Sequence, residues 1–412
     1  MINRTRAINL DFRLAKQNYA DDVLRGIVKE ALDFLLKNVS ANKIKCILVT
    51  GSIANGEGTV IKHNSILVTS DFDFVVYLDF PYFLKNKIYF QHLSQEISMR
   101  LMNREVATHV VFLPATKVLQ SVFCLTNSSI YEYEFANASK CVFGTTQSFN
   151  LAARPTKRDA LELSFTVVSD LVFSNFKSLS QIEQSYIYAK KALTLLNSLL
   201  IFNGLFAETY EKRMKIAKKY MHIGILPLAQ NELKILDLFT EYKLSGSFFQ
   251  LFDSLACKDI GDLLRFQREF LTNLTKKILA FELNNAFAEE KQAKPRHTGP
   301  SLNVKFTKLL EEYSKRSTSQ MSSRLLGITL YIFWSFARNK SRKELFATFV
   351  FYKNPPKTLL NVLITLLLIC KNKTSARKFL NGFFPWITSN ADTNPLERIF
   401  SLWQTAEQSI KL

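Results

Sequence analysis

Apolar residues recur at helical spacing between Asp21 and Val39: Val23, Leu24, Ile27, Val28, Ala31, Leu32, Leu35 and Leu36. The pattern predicts an amphipathic helix, with Asp21 or Asp22 as its cap. "IKCILVT", Ile44 to Thr50, is a short β-rich run that ends at Gly51. "TVIKHNSILVT", Thr59 to Thr69, holds two apolar pieces around "KHNS" and predicts a small hairpin. Phe72 to Leu78 predicts a strand, Lys87 to Leu101 a helix, and Val106 to Leu113 a further strand stopped by Pro114. The order of helix, strand, turn, strand, helix, strand suits a small α/β layer.

The period changes after "FANASKCVFGTT". From Arg158 to about Phe287 nearly every stretch has helical spacing. Tyr186 to Phe202 is the clearest, with Ile187, Leu193, Leu196, Leu199 and Leu200 on one side and Gly204 as its stop. "EEKQAKPRHTGPS" is charged, holds Pro and Gly, has no large apolar residue and reads as a linker. Beyond it the spacing is again helical, broken at Pro355, Pro356, Pro385 and Pro395. The expected fold is an α+β N-terminal domain, a small mixed sheet with helices, followed by mostly α-helical domains. Its boundaries fall at 1–150, 151–288, a linker at 289–301, and a C-terminal domain at 302–412.

A chain of 412 residues, 47% hydrophobic and 22% charged, suits two or three globular domains. Its formal net charge of +19 is uneven. Residues 301–412 carry seventeen Lys and Arg against six Asp and Glu, a net of +11. A positive field of that size draws polyanions such as nucleic acid, although a solvated basic surface has the same composition. "RNKSRKE" and "KNKTSARK" are its densest runs, and Trp334 or Tyr352 could stack on exposed bases or belong to a core. The five cysteines form no C-x-x-C pair and read as buried free thiols of a reducing compartment. The N-terminus lacks a signal-peptide core. The most apolar tracts, "LLGITLYIFWSFA" and "TLLNVLITLLLIC", are thirteen residues each, short of a membrane span. The expected location is cytoplasmic.

The candidate chemistry lies in the first domain. Asp71 and Asp73 stand at the head of the strand Phe72 to Leu78, and alternate strand residues share a face. Like charges placed so repel unless a cation lies between them, and a hard divalent ion takes carboxylate oxygens together with substrate phosphates. Phe72 and Phe74 would then point to the opposite, buried face. Gly51 lets the backbone approach a phosphate, and the Ser52 hydroxyl can donate to it. The bland alternative is a pair of surface carboxylates ending a strand.

"GSIANGEGTV" followed by "SDFDFVVYLD" resembles the nucleotidyltransferase superfamily, which includes DNA polymerase beta and the kanamycin nucleotidyltransferases. "IYEYEFANASKCVFG" is similar to the tract that closes the catalytic domain in bacterial and archaeal members. "YIYAKKALTLLNSLLIFNGLFAETYEKR" resembles the helical domain that often follows. The resemblance covers roughly residues 20 to 215, and the motif is moderately specific. It implies a nucleotidyltransferase-like catalytic domain in which Asp71 and Asp73 hold Mg2+, Gly51 and Ser52 meet the phosphates of a nucleoside triphosphate (NTP), and Lys190 reaches the triphosphate. A solvated helix face is the other reading of Lys190.

Two features depart from the family pattern. Eighteen residues separate Ser52 from Asp71, an excess that the predicted hairpin would absorb. The third carboxylate is missing where "REVATHVVFLP" should supply it: His109 stands there, and Glu105 shares its parity four residues earlier. An imidazole can act as a general base near neutral pH. It can equally mark a weakened activity. Glu57 and Asp79 are not expected as ligands, His63 is expected in solvent at the hairpin tip, and His92, His222 and His297 have no partner at metal-ligand spacing.

The leading expectation is an enzyme that moves a nucleoside monophosphate from an NTP to a hydroxyl with magnesium. The acceptor is open: a small molecule, a sugar, a protein side chain or an RNA end. The second is a nucleotide- or RNA-binding module that keeps the fold without turnover. A third, the antitoxin role of some small members, is disfavoured by the long C-terminal region.

Overall fold

The computed structural model describes residues 8–63, 66–115, 130–145, 154–174 and 179–286. The chain is a mixed α/β protein, with strands in its N-terminal part and helices after them. The linker expected at 289–301 and the basic region 302–412 lie outside the described residues, as do Trp334 and Tyr352.

Packing divides the chain into two compact units. The first joins Met1–Ala160 with Leu179–Leu274. The second joins Leu161–Ser178 with Thr275–Leu412, and in its described residues Phe165, Val167, Ile278 and Leu279 are buried. The site lies wholly in the first unit.

Helix α1 (Asn18–Asn38) begins three residues before the predicted Asp21, with Gln17 at its N-cap. Asp21 is therefore not the cap. Its carboxylate accepts the amides of Leu14 (2.5 Å) and Ala15 (3.1 Å) and the Arg25 Nε (2.6 Å), and so fastens the preceding segment to the helix. Strand β1 (Ile44–Thr50) follows and runs into the short helix α2 (Gly51–Ala54). The predicted hairpin is β2 (Val60–His63) and β3 (Ile66–Thr69), paired antiparallel. Strand β4 (Phe72–Leu78) has the predicted bounds. Helix α3 (Phe80–Met102) starts seven residues before the predicted Lys87, because Pro81 fits its first turn.

The strand predicted from Val106 to Leu113 is two strands. β5 (Val106–Ala107) pairs in parallel with β3, and β6 (Val110–Ala115) pairs in parallel with β4. Thr108, between them, donates its hydroxyl to the Ser70 carbonyl (3.0 Å) at the break. Pro114 does not stop β6 but lies within it, opposite Val76. β6 is an edge strand, where a proline's missing N–H costs no ladder bond. Other edge amides are satisfied by α3: Val110 donates to Ser98 Oγ (3.0 Å) and Phe112 to Ser94 Oγ (2.8 Å).

Helix α4 (Ile130–Ala138) leads into β7 (Lys140–Gly144), which pairs antiparallel with β1. The main sheet has the order β6-β4-β1-β7, and a smaller sheet the order β2-β3-β5. On one face of the main sheet, Ile47, Val49, Phe72, Phe74 and Val76 form a core with residues of α1 and α3. On the other, Cys46, Leu48, Val75 and Tyr77 form a smaller cluster.

Helices follow as the periodicity predicts: α5 (Lys157–Ser174), α6 (Gln181–Phe202), α7 (Tyr210–His222), α8 (Gln230–Ser245), α9 (Phe248–Ser254) and α10 (Ile260–Ala286). α6 begins with a capping box of Ser180 and Glu183 and ends before Gly204, whose φ is 72°. No described helix is long and apolar enough to cross a membrane. Cys46 is buried, whereas Cys141 and Cys257, expected buried, are only partly so; none of the three is in a disulfide.

Candidate functional site

The antiparallel register of β1 and β4 sets Thr50 opposite Asp73. Gly51 therefore turns the chain beside that carboxylate. Its φ is +71°, a conformation that glycine adopts without steric cost, and a Cβ placed on it would lie 4.0 Å from Asp73 Oδ2. Ser52 follows, partly exposed, and its carbonyl accepts the Glu57 amide (2.8 Å) to close the turn.

Phe72 and Phe74 are fully buried on the helix-covered face, as expected. Asp71 and Asp73 alternate with them and head the row continued by Val75 and Tyr77, and both are partly exposed. The parallel register of β4 and β6 pairs Phe72 with Val110 and Asp73 with Val111. One step earlier, the Phe72 amide donates to the His109 carbonyl (2.8 Å), so His109 runs alongside Asp71. His109 is exposed. Glu105 is not on that strand: it sits exposed in the turn before β5, with φ 63°, and its carbonyl accepts the Leu67 amide (2.9 Å). Of the two substitutes for a third acid, His109 adjoins the Asp-x-Asp pair and Glu105 lies in the turn that leads into the smaller sheet.

Lys190 comes from the third turn of α6. Its Nζ donates to Asp71 Oδ2 at 2.8 Å, with side chains 32% and 42% exposed respectively. Burial raises the Asp71 pKa, but the Lys190 ammonium, assisted by His109 and Lys243, outweighs it and leaves the carboxyl below its ordinary range. Burial lowers Lys190 in turn, and Asp71 more than restores it, leaving the ammonium well above its ordinary value.

Beneath the pair lies a polar cluster that the sequence reading did not single out. Ser70, one residue before Asp71, is 1% exposed and bonded at every polar atom. Its amide donates to the Thr59 carbonyl (3.1 Å), its carbonyl accepts from Thr108, and its Oγ accepts the Thr59 amide (3.0 Å) and Lys243 Nζ (2.9 Å). Lys243 reaches in from α8 and is itself 1% exposed. Its ammonium also donates to Thr59 Oγ1 (2.6 Å) and the Glu57 carbonyl (3.3 Å) and lies 5.5 Å from the ring centres of Tyr186 and Tyr210. Tyr186 OH is 3.3 Å from Ser70 Oγ. Burial pushes the Tyr186 phenol up, and the Lys243 ammonium brings it below its ordinary value.

The sequence holds one signal for Lys243. In "LKILDLFTEYKLS" it falls seven residues after Leu236 and four after Phe239, on the stripe that α8 buries. Glu57 is also structural: it is 3% exposed, and its carboxylate accepts the amides of Tyr210 (2.8 Å) and Glu211 (3.3 Å) at the start of α7. Burial raises its pKa further than those bonds lower it. Asp79 lies at the far end of β4, ion-paired with Lys45 at 2.8 Å.

Three observations bear on whether the pair suits a divalent cation. Asp71 and Asp73 share a partly exposed face, the side-chain-free Gly51 leaves space beside Asp73, and a cationic group already stands at Asp71. A hard ion with two carboxylate ligands, its shell completed by water and phosphate oxygens, fits that donor set. Among the described residues no group of three or more His, Cys, Asp or Glu could hold a metal by itself. Comparison with known proteins returns no match: no family, no curated sequence and no solved structure is detectably similar to this chain.

Proposed function

We propose that the chain is a magnesium-dependent nucleotidyltransferase, moving a nucleoside monophosphate from an NTP to a hydroxyl and releasing pyrophosphate. The observation that carries the reading is the β1–β4 register, which sets the Gly51-Ser52 turn beside Asp73 while Lys190 reaches Asp71. Asp71 and Asp73 would hold the cation. Bound there, magnesium supplies positive charge to the phosphoryl oxygens.

The chain's own groups have separable tasks. The Gly51 turn and the Ser52 hydroxyl orient the phosphates. The Lys190 ammonium binds triphosphate oxygens as a compact point charge. His109, alongside Asp71, takes the proton of the acceptor hydroxyl. The Lys243 cluster fixes Ser70 and hence the start of β4.

A second reading is a nucleotide-binding module without turnover. It is favoured by one observation: Val111, a neutral side chain, stands opposite Asp73 on β6. The discriminating assay is magnesium-dependent pyrophosphate release from mixed NTPs, tested with candidate hydroxyl acceptors. Asp71→Asn and Asp73→Asn should each abolish release while the fold persists, because an amide is a much weaker magnesium ligand than a carboxylate. Unchanged turnover in either variant would remove the proposed roles of the pair.

A further inference from the structure

We propose that Lys190 and a divalent cation exchange at Asp71: the ammonium holds the carboxylate before nucleotide arrives, and moves to the triphosphate when the nucleotide brings its cation. The inference rests on the nucleotidyltransferase reading and adds an order of binding to it.

The geometry sets two cations in competition at one carboxylate. Lys190 Nζ is at full hydrogen-bond distance, 2.8 Å, from Asp71 Oδ2. A magnesium ion on that oxygen would stand about 2.1 Å from it. On either oxygen of that carboxylate, ammonium and dication would stand close enough to repel each other strongly, so each weakens the other's hold. Of the two lysines near Asp71, Lys243 is immobilised by three acceptors and buried, so it cannot be the group that leaves. Lys190 keeps 32% of its side chain open and sits on a flexible four-carbon stem. Asp71 keeps 42% open, which leaves an approach for the incoming ion.

The surrounding charge sets the order. The Lys190 and Lys243 ammonium groups both act on Asp71 with the same sign. A bare dication meets that field unfavourably. A triphosphate carrying its cation arrives with net negative charge and offers Lys190 new oxygens, so the ammonium exchanges one anion for another. Cation binding alone is weak, and cation binding with nucleotide is tight.

The test is Mn2+ binding to the full chain, read from the electron paramagnetic resonance signal of the free ion. It is run with and without a mixture of non-hydrolysable NTP analogues, each signal referred to a protein-free solution of the same Mn2+ and analogue, on the parent, Lys190→Met, Lys190→Arg and Asp71→Asn. Without nucleotide, Lys190→Met should bind Mn2+ about fivefold tighter or more, the release of a partly exposed ion pair. Lys190→Arg, which retains the charge, should resemble the parent and controls for damage to the fold. Asp71→Asn should lose the binding. The analogues should tighten Mn2+ in the parent and do so far less in Lys190→Met. Equal Mn2+ affinity of the parent and Lys190→Met without nucleotide overturns the exchange, and if analogue and Mn2+ still bind together the nucleotidyltransferase reading survives it. No binding of Mn2+ or analogue by any variant overturns both.

Discussion

Replacing Lys243 tests whether the base of the site is built as described. The side chain is 1% exposed, so its stem is a core element as well as a carrier of charge. Lys243→Ala deletes three methylenes and the ammonium. At about 0.8 kcal/mol per buried methylene the stem alone accounts for roughly 2–3 kcal/mol, before any term for the cavity. The ammonium contributes less than its three bonds suggest. Charge-assisted bonds are individually worth about 1.5–3 kcal/mol, but removing the ion also removes the penalty for burying it. Its former acceptors are partly provided for: Ser70 Oγ keeps the Thr59 amide, and Thr59 Oγ1 still donates to the Lys243 carbonyl (2.5 Å). Lys243→Ala should therefore cost about 3–5 kcal/mol, and Lys243→Met, which refills most of the stem's volume, about 1–2 kcal/mol. Urea titrations followed by circular dichroism measure both. A Lys243→Met loss equal to that of Lys243→Ala would show that the ammonium and not the stem dominates. A Lys243→Ala loss below about 0.5 kcal/mol would contradict the burial itself.

His109→Ala should slow pyrophosphate release about a hundredfold or more if the imidazole takes the acceptor's proton; His109→Asp should retain more activity, and parent-like rates in both variants would remove the role. Asp21 is held below its ordinary pKa of 3.8: burial raises it, but Arg25 and the amides of Leu14 and Ala15 prevail. Its stabilisation is thus complete above that ordinary value and lost as pH falls through the lower folded value. Asp21→Asn should destabilise at neutral pH and flatten the acid limb of a Tm–pH curve; an unchanged limb would refute the linkage. Gly246→Ala should cost at least about 2 kcal/mol, because Gly246 has φ 68° and a Cβ there would fall 2.1 Å from the Val60 carbonyl. A parent-like Tm would contradict that close approach.

The parts of the fold that were legible in the sequence are those decided locally. β1, the hairpin and β4 follow from short apolar runs and the turn chemistry between them. The burial of Phe72 and Phe74 follows from the pleat. The single strand expected at 106–113 failed because nothing local marks the change of sheet, which depends on Leu67 pairing with Val106 and Phe72 with Val110. Asp21 carries a cap's composition but takes part in a different bond network, since the two amides it accepts precede the helix in sequence. Within the site, Asp71, Asp73, Gly51 and Ser52 form a compact motif. Lys190 was named, but not its bond to Asp71, 119 residues away. Lys243 is not singled out by the sequence, and Glu57 is marked only as a non-ligand, because their partners stand 153 to 186 residues distant, a separation no periodicity reports.

The distance between Ser70 and Lys243 along the chain also orders events during synthesis. All strands of the main sheet have been made once Gly144 leaves the ribosome. The lysine that closes the underside of Asp71 leaves it 99 residues later. At about 5–20 residues per second, that is an interval of roughly 5–20 s. In that interval Glu57, Thr59 and Ser70 lack the ammonium as a donor. A nascent chain stopped between these points can pair its strands yet leave Asp71 on an unfinished base, so competence at this site should arrive with α8 and not with the sheet.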